Sequence, residues 1–342
     1  MSGERRTMRT TATALIVAVA VAGLAGYLIS RPQGPARDAP PISNLVPTPS
    51  GPFSTDGYSV ADDGATNQVV VFGGNLSLTQ TWVWSASHWE LQHPRASPSG
   101  REEAATAYDP QLHMVLLFGG IRPPETGLRD TWGWDGTTWH ELDSGFNGPP
   151  PGEAAMAWDP VVNAMVLMPA SSSGADTWTW SNTHWIDHRQ TDPYMPTGIL
   201  ELAFDPAAHA LMAAGFGDVI GPGVGAVVET WTWDGMAWRQ ITTPHVPSAY
   251  GILGLSWDPV TARLLLFGQG PTEVPLLRWV WTGTDWQRLA PVVKPMIIQG
   301  FLTSADTAKL RLVGELSEPQ GAITPIDVWA WTGSAWKLES GQ

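Results

Sequence analysis

The chain has 342 residues, with 18 basic and 32 acidic side chains and a formal net charge of −14. It contains no cysteine, which excludes disulfides, thiol chemistry, Cys-ligated zinc and a lipid anchor on Cys. The acidic balance argues against a nucleic-acid partner, while 36 Gly and 30 Pro with only 15% charged residues suit many short strands joined by turns.

Arg5, Arg6 and Arg9 precede an uncharged stretch, residues 10–30, which ends at Arg31. At helical rise that stretch spans roughly 30 Å, the thickness of a bilayer core. It is predicted as a single transmembrane helix acting as a signal anchor, with residues 1–9 cytoplasmic and the rest of the chain outside the cytoplasm. The rival is a secretory signal cleaved near Ala20-Val21-Ala22, which would release a secreted protein. Residues 31–56 are rich in Pro and small residues and form a semi-extended linker.

From residue 57 to 342 one signature governs the chain. Eighteen of its 20 tryptophans fall in the unit Trp-x-Trp-x-x-x-x-Trp, which starts at Trp82, Trp132, Trp178, Trp231, Trp279 and Trp329. A period near fifty residues with a fixed aromatic signature marks a radial repeat. The fold class is therefore all-β: a six-bladed β-propeller of four-stranded antiparallel blades. Each repeat reads strand A to strand D in order, so the ring should close without strand exchange, by side-chain packing between the first and last blades alone.

Blade two shows the grammar most clearly. Strand A ends at Ala107-Tyr108, and Asp109-Pro110 makes the A–B turn. Strand B is the apolar run Met114–Phe118, closed by Gly119-Gly120, and strand C is the Thr-Trp-Gly-Trp stretch. Asp135-Gly136 is a hairpin signal leading into strand D at Trp139. Asp63, Asp159, Asp205 and Asp258 repeat the turn position.

An apolar run before a di-glycine, then an aromatic pair, then a Trp resembles the kelch-repeat family, whose superfamily includes galactose oxidase. The di-glycine is complete at Gly73-Gly74 and Gly119-Gly120, and later blades keep at most one glycine of it. The resemblance implies the propeller fold and leaves function open, because one scaffold hosts many activities. Copper oxidation of the galactose oxidase type needs a Cys-linked Tyr, which a chain without Cys lacks.

Several patterns invite a functional reading and also have a plainer one. The Trp ladder could be a glycan-stacking platform, but Trp at i and i+2 share a sheet face that a neighbouring blade must cover. The Asp-Pro carboxylates read as turn caps. Glu201, Asp205 and His209 fit Glu-x-x-x-Asp-x-x-x-His, which looks like the iron-binding motif of plant kelch specifier proteins. Yet Asp205 is the turn Asp of its repeat, and His113 occupies the position equivalent to His209. The reading therefore assigns no metal and no cofactor, with this trio as the alternative.

In an up-and-down blade the A–B and C–D turns share one face, and the longer B–C and D–A loops share the other. Function concentrates in long loops on a rigid scaffold. The B–C loops are expected at 121–130, 217–229 and 315–327, and the D–A loops include 92–101, 187–198 and 241–251. Arg101, Arg122, Tyr194, His245 and Tyr250 are the candidate ligand-binding residues there, and no catalytic residue is assigned. The leading function is a membrane-tethered module binding a protein or glycan of the cell envelope. A carbohydrate-active enzyme on the same scaffold and a structural spacer are the alternatives.

Overall fold

The computed structural model describes residues 51–52, 57–75, 79–124, 126–170, 176–188, 200–221, 225–270, 276–290, 297–303, 309–316 and 326–339. The expected membrane helix, residues 10–30, lies outside them. Among the described residues no helix is long and apolar enough to cross a membrane.

Six antiparallel sheets follow one another along the chain. Blade one comprises Tyr58–Asp63, Gln68–Gly73, Thr81–Ser85 and His88–Gln92. Blade two comprises Ala105–Asp109, Met114–Phe118, Thr131–Trp134 and Trp139–Asp143. Blade three comprises Ala154–Asp159, Ala164–Pro169, Thr177–Trp180 and Trp185–His188. Blade four comprises Leu200–Asp205, Ala210–Gly221, Gly225–Trp233 and Trp238–Ile241. Blade five comprises Gly251–Asp258, Arg263–Gln269, Leu277–Trp281 and Trp286–Arg288. Blade six comprises Ile297–Thr303, Arg311–Leu316, Asp327–Trp331 and Trp336–Leu338. Each A strand touches the A strands of the blades before and after it, and that of blade six touches that of blade one, so the ring is closed.

The turns form as their residues dictate. Asp63 and Asp109 each accept a backbone N–H two residues on through Oδ1, at 2.9 and 2.8 Å. Asp159, Asp205 and Asp258 do the same at 2.8, 2.9 and 3.0 Å. Four residues after each Asp the backbone enters the left-handed region, at Asn67, His113, Asn163, His209 and Ala262. Asn and His tolerate that region better than most side chains, which explains why two of these positions carry His.

There is no single central core. Six apolar clusters form, one at each blade–blade interface. Strand B serves two of them: Val69 and Val71 face blade six, while Val70 and Phe72 face blade two. That is why strand B reads as an unbroken apolar run rather than an alternating one. The second and third Trp of each unit are cross-strand partners, from Trp84↔Trp89 to Trp331↔Trp336. Their ring centroids lie 5.0–5.5 Å apart in every blade. The ladder is packing, not a ligand platform: the strand-D Trp residues are at most 8% exposed.

The strand-D Trp also stitches blades together. Trp139, Trp185, Trp238 and Trp286 donate their indole N–H to Thr81, Thr131, Thr177 and Thr230 of the preceding blade, at 2.9, 2.8, 2.9 and 2.7 Å. Each of these Thr directly precedes the first Trp of its own unit.

The ring closes without strand exchange, but the expectation that side-chain packing alone joins blades one and six needs correcting. Ile326 N–H donates to Pro52 C=O at 3.0 Å, so residues before the first blade take part in the seam. Trp89 Nε1 donates to Ile326 C=O at 2.9 Å. Arg311 Nη1 donates to Asp62 at 2.8 Å with both side chains buried, and its Nε lies 3.3 Å from Glu339. Buried seams need such polar partners because the Val328 that replaces Thr at this interface offers no hydroxyl.

A second correction concerns blade four. The B–C loop expected from residue 217 is largely strand: pairing continues through Phe216↔Val228, Val219↔Ala226 and Gly221↔Gly225. Apolar, β-branched residues on both arms carry the ladder beyond the blade. Ser248–Ala249 of the following D–A loop adds to this extension opposite Val227 and Ala226. The loop is thereby pinned to the sheet.

Candidate functional site

The four described loop residues singled out from sequence, Arg101, Arg122, His245 and Tyr250, do not gather at one place. Arg101 is 1% exposed. All five of its N–H donors are engaged: Ser99 C=O at 2.9 Å, Gly119 C=O at 2.8 Å, Ser99 Oγ at 3.0 Å and the two Asp130 oxygens at 2.6 and 2.8 Å. Burial pushes the Asp130 carboxyl up, but the Arg101 hydrogen bonds hold it below its usual range. Arg101 thus ties the end of strand B to the start of strand C and has no donor left for a ligand. Arg122 is exposed and donates to Ser99 Oγ at 2.7 Å, on the short hairpin formed by Ile121–Arg122 and Thr126–Gly127. Tyr194 lies outside the described residues. Tyr250 is 41% exposed on the blade-four D–A loop.

The alternative metal trio is taken apart by its own turn. Asp205 is buried and its Oδ1 caps the Ala207 and Ala208 N–H groups. His209 is exposed in the left-handed position that closes the turn. Among the described residues no group of three His, Cys, Asp or Glu is placed to hold a metal ion. Glu201 stands apart on strand A, where burial alone pushes its carboxyl from 4.5 up to about 7. The folded state therefore keeps a proton that the unfolded chain releases. Stability should fall as pH rises from about 4.5 to about 7. Glu201→Gln should flatten that part of the dependence and raise the melting temperature at pH 8, as thermal melts at several pH values would show. A steeper fall in the variant would contradict this account of Glu201.

His245 lines an open depression. This depression, of about 700 Å³, runs between the D–A loop of blade four and the outer edge of blade five. Pro244, His245, Val246 and Ser248 form one wall, and Thr282, Asp285, Gln287 and Arg288 the other, over Trp279 and Trp286. The first wall is fixed by the pairing of Ser248–Ala249 with blade four and by Val228 N–H donating to Pro247 C=O at 2.9 Å. The two walls are clasped by Asp285: Oδ1 accepts His245 N–H at 2.9 Å, and Oδ2 lies 2.7 Å from His245 Nδ1. Asp285 also accepts Trp286 N–H at 2.8 Å. The His245 hydrogen bonds hold the Asp285 carboxyl below its usual range. With Nδ1 turned to the carboxylate, the 79%-exposed His245 side chain presents its other ring nitrogen outward. Gln287 and Arg288 are exposed on strand D and add an amide and a guanidinium.

This placement differs from the expected one. The groove lies along the outer strand of blade five, between a D–A loop and a C–D turn, rather than between B–C and D–A loops. Sequence reasoning missed Asp285, Gln287 and Arg288. A signal was present: the residue before the strand-D Trp is His88, Thr138, His184, Ala237, Asp285 and Ala335 around the ring, so blade five alone carries an acid there.

No protein-family profile matches the chain, and no curated protein sequence does either. Solved structures do share its fold. A mutant of the Aleuria aurantia lectin AAL in complex with Fucalpha1-6GlcNAc is similar at a TM-score of 0.57 and 13% identity, over 85% of this chain and 96% of that one. SapL1 lectin in complex with alpha methyl fucoside is similar at 0.57 and 12% identity, over 84% and 97%. YjhT is similar at 0.56 and 12% identity, over 85% and 99%. At these identities the likeness is one of fold: the whole ring of blades is shared.

Proposed function

We propose that the protein is a carbohydrate-binding module and that the groove between blades four and five is where it takes its ligand. The observation that carries this reading is the clasped groove itself. It joins an outward imidazole, an ionised carboxylate, an amide and a guanidinium over the buried Trp279 and Trp286, in a volume typical of small-ligand sites. Hydroxyl-rich ligands need such a ring of donors and acceptors. That two similar propellers are lectins solved with fucosides supports the choice of a saccharide over a protein ligand. Binding fits better than catalysis, because the groove's acid is held ionised by its partners rather than poised to give up a proton. The propeller is a kelch-like one, held outside the cytoplasm by residues 10–30 as a membrane anchor. The uncharged length of that stretch and the three Arg before it support this. Recovery of the mature protein in the soluble, shed fraction would remove the tether from the proposal.

The test is a glycan array probed with the intact chain, followed by titration of the best binder. Arg288→Ala and His245→Ala should each weaken binding by roughly 10- to 100-fold, the loss of one or two hydrogen bonds to charged groups. Gln111→Ala, in an A–B turn of blade two, should leave it unchanged. Equal loss in the Gln111 variant, or no saccharide bound at all, would overturn the reading.

A further inference from the structure

Arg278 breaks the rule by which the blades are stitched. In blades one to four the residue before the first Trp of the unit is Thr81, Thr131, Thr177 or Thr230, and blade five has Arg278 in that place. The consequence falls on blade six, where Trp336 Nε1 is buried with no acceptor among the described residues. The Arg278 guanidinium lies over the Trp331 ring, 5.0 Å from its centroid. Nη2 donates to Ala290 C=O at 3.1 Å, and Nε is buried without a partner among the described residues. The two described arginines that are buried are compensated: Arg101 by Asp130, Arg311 by Asp62 and Glu339. Among the described residues no carboxylate pairs with Arg278, and desolvation lowers its pKa.

A half-buried guanidinium without an anion is costly, and here it also displaces the hydroxyl that satisfies an indole elsewhere in the ring. We propose that a ligand supplies the missing anion: Arg278, at the boundary of blades five and six, takes the carboxylate of an acidic saccharide. Trp331 covers one face of the planar guanidinium and Nη2 is partly engaged by Ala290 C=O, so a carboxylate would be met along the Nη1–Nη2 side, through Nη1 and the second Nη2 hydrogen. That the carboxylate belongs to a saccharide rests on the glycan reading above. That an anion binds does not.

The test uses the intact chain titrated with trigalacturonic acid and with its methyl ester, by calorimetry. The acid should bind at least tenfold more tightly than the ester. Arg278→Thr should lose that preference while restoring the threonine of the other blades, so its melting temperature should equal or exceed that of the wild type. Four results would each overturn the proposal. They are no acid binding at millimolar concentration, equal affinity for acid and ester, unchanged acid affinity in Arg278→Thr, or a melting temperature several degrees lower in that variant. Acetate distinguishes the two readings. If acetate raises the melting temperature in an Arg278-dependent way and no saccharide, acidic or neutral, binds anywhere, the glycan reading and the saccharide part of this proposal both fail and only a small-anion site is left. If neutral saccharides bind in an Arg288-dependent way and acids do not, this proposal fails alone.

Discussion

Trp286→Ala is expected to destabilise the protein by about 3–5 kcal/mol, the cost of deleting a large buried aromatic side chain. Trp286 is 1% exposed, stacks 5.2 Å from Trp281 and donates to Thr230 of the preceding blade. The substitution therefore removes packing within a blade and a polar link between blades together. Two milder changes separate these parts. Thr230→Val keeps the volume and removes the acceptor, which should cost roughly 1–3 kcal/mol for the stranded indole N–H. Thr81→Val should do the same at the first interface, where Trp139 loses its partner. Denaturant melts followed by tryptophan fluorescence measure all three. A Trp286→Ala protein as stable as the wild type would mean that the ladder is not the core of this fold.

The second large effect is expected at the seam. Arg311→Met should destabilise by roughly 3–5 kcal/mol, because it removes the guanidinium that pairs with the buried Asp62 carboxylate. Asp62→Ala should cost less, because Arg311 keeps Glu339 and Asn67 as partners, and the double variant should recover part of the loss of Arg311→Met. The reason lies in the connectivity. Every other pair of adjacent blades is joined by a continuing chain, whereas blades six and one meet only through contacts between residues far apart in sequence. Additive losses in the double variant, measured by the same melts, would show that the two side chains act separately and that the seam is held by its apolar cluster.

The sequence reveals the ring because its signal is redundant. A Trp unit repeated at six places fixes the number of blades, and the turn Asp fixes the register of strands A and B in each blade that carries it. Stitching was written there too, in the Thr that precedes Trp82, Trp132, Trp178 and Trp231, but its meaning depends on which residue of the next blade reaches it. That is a tertiary fact, invisible to period and propensity. The site was less legible for the same reason. His245 could be chosen because it sits in a long loop. Asp285, forty residues later in a tight turn, becomes its partner only when blade five packs against that loop. Arg101 shows the opposite error: an arginine leaving a loop looks available in sequence, while in the fold Asp130 and Ser99 enclose it. The length of the blade-four hairpin was obscured by its glycines, Gly215, Gly217, Gly221 and Gly225, which read as loop although the pairing runs through them.

A crystal structure of the intact propeller with the best-scoring saccharide from the array tests the central claim most directly. The account predicts the ligand between blades four and five, with its hydroxyls on His245, Gln287 and Arg288 and the His245–Asp285 clasp intact. A ligand bound instead beside Arg122, on the hairpin of blade two and away from Asp285, would contradict it.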